Sequence, residues 1–548
     1  MPRSDRVETP SGASNRAPLI GLVFGIAALL AVNVAWFQND DSPAIYDMAH
    51  HLSLGWQARQ ALGDGNLGGL FHLSDYYPPL VHWTLAISYV ATGPRPAAAL
   101  LANLGWVSLL ALSVYRLGCR MAGPWSAAVA AVVVIWLPMN AWWSREAMLD
   151  LPLTASVAAA TLLLIEACDS NQRRRWLVLG LALGLGMLVK WTFILFLAPP
   201  LVFCMIRMMR QRHGFPGKAL PVAHWLDAVL VAVVVAFPWY ILHLQNLRKR
   251  FSSTMAEGLA EGDPSTGSLS SLTFYIQSLL SYHLFAVFFV LAVIGVLVAL
   301  YRRNRIDLVL LIQLAGGWVF LTLLTNKDPR YLMPLVPMLV LLGTSVLRSW
   351  WWLAAVALAF AQLLAVSFDI GLPQRIRIAE SPVPVWQERW LHEENHREHS
   401  RTVIMRSGWD LFQTSYAGMI GPPRKEDWKV NAILERVVSD AAVGSRRPLL
   451  ALVPDMPRFH AGAFQLQTNW RGWPVTISRP RVGADWDALE GFDYVVIKEG
   501  NQGPPWTTVQ NAEIDMFVKN NPAYFKVVEL YPLPDGSWAR LCRIERPL

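Results

Sequence analysis

Residues 176–204 read W-L-V-L-G-L-A-L-G-L-G-M-L-V-K-W-T-F-I-L-F-L-A-P-P-L-V-F-C, an apolar run carrying one charge, Lys190. As a single helix these roughly 29 residues would extend about 43 Å at 1.5 Å per residue. The hydrocarbon core of a bilayer is only about 30 Å thick, and a lysine near its middle is costly. Two short helices with Lys190 at the turn between them remove both difficulties. The choice fixes the side of the membrane on which every later loop emerges.

The rest of the chain belongs to the same class. Of 548 residues, 54% are hydrophobic and 16% charged. Soluble domains average about 25% charged residues, so a soluble fold is excluded for most of the chain. The 25 tryptophans suit membrane interfaces. The net charge of +8 is scattered through short loops instead of forming one patch, which argues against a nucleic-acid partner. Cys119, Cys168, Cys204 and Cys542 show no metal or redox spacing, and no structural disulfide is expected. The first apolar run, 19–37, is long and lacks a good cleavage site, so it reads as an uncleaved span.

Apolar runs place spans at 19–37, 98–116, 125–141, 150–168, 176–188, 191–206, 225–243, 284–301, 308–325, 331–347 and 350–368. Positive residues collect on the inner side. With the N-terminus inside, the inner loops carry Arg116 and Arg120, Arg173 to Arg175, Arg207 to Lys218, Arg302 to Arg305, and Arg348. Reading 176–204 as one span would throw the last groups outside. The hairpin therefore wins. The expected fold class is a multi-span α-helical membrane protein of about eleven transmembrane helices with a C-terminal external α/β domain. Residues 1–18 form an inner tail, 19–370 the membrane domain, and 371–548 the external domain. The outer loops are 38–97 and 244–283, with interfacial helices expected over 80–93 and 272–283.

Beyond Gly371, charged and turn residues rise and short strand-like runs appear at 449–453, 475–477 and 494–497. Helical segments at 425–441 and 512–520 alternate with them, the pattern of a small α/β domain. Residues 526–530 and 538–544, around Pro534-Asp535-Gly536, read as a hairpin. Asp455 follows a strand and suits either a ligand crevice or, as the favoured expectation, a helix cap.

The chemistry lies on the outer face. Asp40, Asp41 and Asp47 follow the first span. Arg145, Glu146 and Asp150 stand at the start of the fourth, and Lys190 at the hairpin turn. Lys327, Asp328, Arg330 and Tyr331 stand at the end of the ninth and the start of the tenth. Ionisable side chains at span ends face water or a cavity, and any one of them is explained equally well by snorkelling or capping. Several at one depth are more informative. Carboxylates beside cations at a membrane surface suit transfer of a sugar from a lipid phosphate. The cations stabilise the leaving phosphate and a carboxylate takes the acceptor's proton. His50, His51, His72 and His82 read as packing or interfacial residues. The pairs Trp142-Trp143 and Trp350-Trp351 read as interface anchors.

Five motifs carry a family resemblance over residues 19–347: Asp41-Ser-Pro-Ala44, Tyr77-Pro-Pro-Leu80, Met148-Leu-Asp-Leu-Pro-Leu-Thr154, Gly184-Leu-Gly-Met-Leu-Val-Lys190, and Asp328-Pro-Arg-Tyr-Leu-Met-Pro334. Together they resemble the GT-C membrane glycosyltransferases, in the branch of the protein O-mannosyltransferases and lipid A aminoarabinose transferases. The chain departs from the pattern at Ser42, where the family has Glu, and at Tyr77, where it has His. The resemblance implies an inverting hexosyl or pentosyl transferase of the bacterial inner membrane. Its donor would be a polyprenyl-phosphate sugar and its acceptor a lipid, polysaccharide or protein. It implies Asp41 as general base, with Asp40 or Asp47 as alternatives, and Asp150 as the second acidic residue. Arg145, Lys190 and Arg330 would contact the donor phosphate, with Asp47, Tyr77 and Tyr331 completing the substrate site. No cofactor is called for, although a divalent metal beside the aspartates stays open. Rival readings are a ligase using a polyprenyl-diphosphate carrier, a transporter or flippase of lipid-linked sugars, and an inactive binding relative. A flippase would place charges near mid-membrane and repeat its span pattern, and neither feature is seen.

Overall fold

The computed structural model describes residues 16–170, 172–211, 221–261, 263–373, 375–380, 386–388, 403–405, 408–414, 420–441, 447–483, 485–503 and 505–545. Most of the expected inner tail lies outside these residues, as do Arg212 and Lys218 of the basic loop. Helix α1 (Arg16–Phe37) leads to α2 (Tyr46–Gly63) and α3 (Leu80–Thr92), which pack on each other at one end of the bundle. Then come α4 (Ala97–Met121), α5 (Pro124–Trp136), the short α6 (Pro138–Trp143) and α7 (Asp150–Cys168). The hairpin is α8 (Arg173–Val189) and α9 (Phe193–Gln211). The membrane domain continues with α10 (Pro221–Glu261), α11 (Leu269–Ser278), α12 (Phe285–Arg302) and α13 (Arg305–Leu323). A 3-10 turn over Pro329–Leu335 precedes α14 (Val336–Thr344), and α15 (Ser349–Ser367) closes the bundle.

Among the described residues, eight helices are long and apolar enough to cross a membrane: α1, α4, α7, α9, α10, α12, α13 and α15. The other three expected spans form shorter helices. Segment 125–141 breaks at Leu137, whose extended backbone precedes Pro138. Segment 331–347 is shared between the 3-10 turn and α14. Helix α8 takes in Arg173, Arg174 and Arg175 at its first turn. The expected loop 244–283 is corrected more heavily. Helix α10 runs unbroken for 41 residues through Pro238, because the Leu, Gln, Arg and Lys residues after it are good helix formers.

The hairpin turns where charge demands it. Helix α8 ends at Val189, and Lys190 takes an extended conformation (φ −156°, ψ 134°) before α9 begins. A Cβ on Gly186 would lie 2.4 Å from the Phe193 ring, so only glycine lets the chain double back here. Gly180 and Gly184, one turn apart, do the same sideways. Their missing side chains let α8 lie directly on Ala228 and Ala232 of α10, the small-residue packing of membrane helices. The basic loops gather at the end of the bundle away from α2 and α3. There Arg116 pairs with Glu166 (2.7 Å), Arg173 with Asp227 (2.8 Å), and Arg120 and Arg305 share Asp169.

The opposite end is capped by the C-terminal domain. Strands β1 (Arg375–Glu380), β2 (Trp386–Glu388), β3 (Val403–Met405) and β4 (Gly408–Gln413) form two antiparallel pairs, β1–β4 and β2–β3, which the sequence reading missed. Helix α16 (Val430–Ala441) leads into β5 (Leu449–Leu452), α17 (Ala461–Arg471), β6 (Thr476–Ser478) and β7 (Tyr494–Lys498). Helix α18 (Pro505–Asn520) and the hairpin β8 (Phe525–Pro532) and β9 (Trp538–Ile544) complete it. The five-stranded sheet has the order β6-β5-β7-β9-β8, with β6, β5 and β7 parallel and β9 and β8 antiparallel. The strands were expected; α17 was not. That helix buries Leu466 and Trp470 in one cluster with Ala49, Leu52, Leu85 and Tyr89 of α2 and α3, so the domain is docked and not tethered. Trp142 and Trp143 are corrected too. Both are fully buried in the bundle, with Trp142 Nε1 donating to Val366 O at 3.0 Å, whereas Trp350 and Trp351 remain exposed and stacked.

Candidate active site

Asp150 opens α7 at the capped end, where the helix dipole favours an anion. Its loop is tied down by Asn103 of α4, whose Nδ2 donates to the carbonyls of Trp143, Ser144 and Glu146. The hairpin turn brings Lys190 to it, with Nζ 2.8 Å from Asp150 Oδ1. The carboxylate is buried and the ammonium nearly so, with side chains 2% and 17% exposed. The Lys190 Nζ also lies 5.3 Å from the centre of the Tyr331 ring, within cation–π range.

Arg330 also stands against that ring, 5.8 Å from its centre. Asp328 caps the 3-10 turn, accepting from the Arg330 N–H at 2.9 Å and pairing with its Nε at 3.0 Å. The Arg330 Nη2 reaches Asp47, in the first turn of α2, at 3.5 Å. Asp47 is the looser partner, with its side chain 46% exposed. Tyr331 is oriented by donating to Asn326 Oδ1 at 2.9 Å. Tyr77 packs against the rings of His50 and His51, and burial beside Asp47 pushes its hydroxyl well above the usual tyrosine range. His51 and His82 bond each other at 3.0 Å in the core, in keeping with a packing role.

Asp47, Asp150, Lys190, Arg330, Tyr331 and Tyr77 are thus assembled in one place. Asp41 and Arg145 sit elsewhere. The Asp41 carboxylate is exposed, and its backbone N–H donates to Arg424 O of the C-terminal domain at 2.9 Å. Asp40 beside it accepts from the Arg424 N–H (2.9 Å) and the Ser42 hydroxyl (3.1 Å). Burial raises the Asp40 pKa against those bonds and the charge of Arg458. Glu146, partly buried near Asp40 and Arg458, is pushed up to about 7, chiefly by desolvation and then by the Asp40 charge. Arg145 is corrected as a phosphate contact. Its Nε donates to Asn33 Oδ1 at 2.8 Å, its Nη2 bonds the Ser367 hydroxyl, and it stacks over Trp36. It ties α1 to α15 inside the bundle, with its guanidinium 1% exposed.

Beside Lys190 and Tyr331 lies an open cleft. Asp150, Lys190, Tyr76 and Asn326 form its polar end, and Leu153, Phe196, Phe320, Leu321 and Leu324 its apolar wall. Thr254 and Met255 of α10 close one side, a contribution invisible in the sequence because 244–261 reads as loop there. Lys327 has a different task. Its Nζ donates to the carbonyls of Leu321, Thr322 and Leu324 at the end of α13, and burial lowers its pKa to about 8. Among the described residues no three His, Cys, Asp or Glu side chains gather as metal ligands. The arrangement offers Lys190, paired with Asp150, in the lining of a largely apolar slot, and Arg330, paired with Asp328 and Asp47, beside the shared Tyr331 ring. An amphiphile with an anionic head group fits such a site.

Residues 77–242 match the family model described as dolichyl-phosphate-mannose-protein mannosyltransferase. In fold the chain is similar to ArnT from Cupriavidus metallidurans bound to undecaprenyl phosphate, with TM-score 0.54 and 14% identity over 95% of this chain and 97% of that one. It is similar to the same protein in the apo state, with TM-score 0.53 and 13% identity over 97% and 98%. The Archaeoglobus fulgidus oligosaccharyltransferase in its apo form superposes with TM-score 0.49 and 12% identity over 89% and 70%. No curated protein sequence matches the chain.

Proposed function

We propose that this chain, a GT-C-type membrane glycosyltransferase by fold and by its family match over residues 77–242, moves a sugar from a polyprenyl-phosphate carrier to an acceptor at the capped end of the bundle. One observation carries the reading: Lys190 lines a largely apolar cleft, and Arg330 stands against the same Tyr331 ring that Lys190 faces. The isoprenoid tail lies along the wall and the phosphate takes the place of Asp150 and Asp47 on the cations. That ArnT was crystallised with undecaprenyl phosphate supports a carrier of this class. In the step itself the acceptor oxygen or nitrogen attacks the anomeric carbon from the face opposite the phosphate. A carboxylate takes its proton, and the phosphate leaves with the bonding electrons, its growing charge held by the two cations. The configuration inverts.

The base must be open to the acceptor and not locked in an ion pair. Asp41, exposed on the loop before α2, meets that requirement. Asp47, 3.5 Å from Arg330, is the second reading, because the incoming phosphate would displace it from that pair and leave it open to the acceptor. Purified protein in lipid discs, given a polyprenyl-phosphate sugar, separates them. Asp41→Asn is expected to lower kcat by about 10²–10⁴-fold, and Lys190→Ala to weaken donor binding. A dead Asp47→Asn beside an active Asp41→Asn transfers the role to Asp47. Wild-type turnover by both Asp41→Asn and Lys190→Ala would overturn the proposal, and use of a polyprenyl-diphosphate glycan in place of the monophosphate would convert it to a ligase.

A further inference from the structure

The parallel strands β6, β5 and β7 end at one edge of the C-terminal domain, and the order β6-β5-β7 makes β5–β7 the point where connections diverge to opposite faces. In open α/β sheets ligands settle in the crevice outside the strand ends at such a point. Here Asp455 follows β5, Arg479 follows β6, and the turn 499–503 follows β7. Arg479 bonds the Asp455 carboxylate, and the Asp455 N–H donates to Gln502 O at 2.9 Å. Asp455 is therefore a strut of the crevice and not the helix cap expected for it.

No small molecule is needed to explain the crevice, because the membrane domain reaches into it. The Tyr46 hydroxyl donates to Asp455 O at 2.7 Å, and its ring packs on His460 with centres 4.8 Å apart. His460 precedes α17 and is 2% exposed. Its Nε2 faces two backbone groups on either side of Ile45, the Tyr46 N–H at 3.0 Å and the Ala44 carbonyl at 3.2 Å. One neutral tautomer accepts from the first, and the other donates to the second. Burial keeps the ring neutral by lowering its pKa to about 4. Tyr46 has φ +28°, a conformation a tyrosine holds only when its surroundings impose it. Asp47 is the next residue.

We propose that the C-terminal domain is a positioning element of the active site: its strand-end crevice holds Tyr46, and His460 sets the start of α2 and hence the placement of Asp47 against Arg330. The bond from Arg424 to Asp40 and the bond from Asp41 to Arg424 fix the preceding residues from the same side. His460 touches no reacting atom, so it acts through the loop. The inference rests on the transferase reading for its kinetic consequence but not for its structural one.

The test compares His460→Gln with His460→Leu in the full-length protein. A glutamine amide offers both an acceptor and a donor, whereas leucine offers neither at similar bulk. His460→Leu is expected to lose about 10²-fold in kcat, as for a misplaced catalytic group, with donor KM and Tm unchanged. His460→Gln is expected to recover most of the loss. Hydrogen exchange at the Tyr46 amide reports independently of turnover, and it accelerates in His460→Leu only. Wild-type kcat and exchange in His460→Leu would overturn the proposal. So would equal losses in both variants that track a fall in Tm. If the wild-type protein shows no transfer but Tyr46 exchange responds as stated, the clamp stands and the transferase reading fails.

Discussion

Arg145 and Glu146 are neighbours in sequence, yet the fold gives them opposite work. Arg145 is buried against Asn33, Ser367 and Trp36. Replacing it by methionine leaves two buried polar partners unmatched, a loss of about 1–3 kcal/mol. Arg145→Met is expected to lower Tm in detergent while donor KM stays at the wild-type value; a raised KM with unchanged Tm would return Arg145 to the substrate site. Glu146 carries a carboxyl whose folded pKa is raised to about 7. The folded state then holds a proton that the unfolded chain releases, so stability falls as pH rises from the ordinary carboxylate range towards 7 and levels off above it. Thermal unfolding across that range should show this slope in the wild type and a flatter one in Glu146→Gln. At this scale the sequence was informative about residue type and weak about partners. Lys190 was legible as a turn residue because a charge is costly inside an apolar run, but its pairing with Asp150 was not. Arg145 was misread because its motif position says nothing about Asn33, more than a hundred residues away.

Among elements, the α8–α9 hairpin decides where Lys190 stands, and glycines decide the hairpin. A Cβ at Gly180 would come within 2.4 Å of Ala228 O and 2.8 Å of its Cα, both backbone atoms that cannot step aside. Gly180→Ala must push α8 away from α10, at a cost of about 1–3 kcal/mol for overpacking. Lowered Tm together with a raised donor KM is the expected outcome; a neutral variant would show that the helices are not as closely packed as drawn here. The hairpin was readable because length and charge both forbade one span. Helix α10 was not, because polar residues that form helices well look the same on a loop as on a helix that has left the bilayer. Of the four described strands before α16, β2 and β3 were missed because they are three residues long, too short to show alternation.

For the molecule as a whole, the basic loops gathered at one end set the expected orientation, against the outer cluster Arg248-Lys249-Arg250. Single cysteines at Asn39 and Val482 should react with an impermeant maleimide added outside cells. One at Arg303 should react only after the membrane is opened. All three positions are exposed. Reaction of Asn39→Cys and Val482→Cys on opposite sides would break the proposed topology. The class of fold was legible from composition and basic loops alone. The union of the two domains was not, because Tyr46, His460 and Asp455 carry no motif and are distant in sequence.

Helix α10 runs 41 residues, about 60 Å at 1.5 Å per residue. Its near half lies on the glycines of α8, and its far half carries Thr254 and Met255 at the cleft before Gly258 abuts Asn326. One unbroken helix therefore joins the α8 contact to the wall of the slot beside Lys190, so the packing of α8 against α10 sets where Thr254 and Met255 stand.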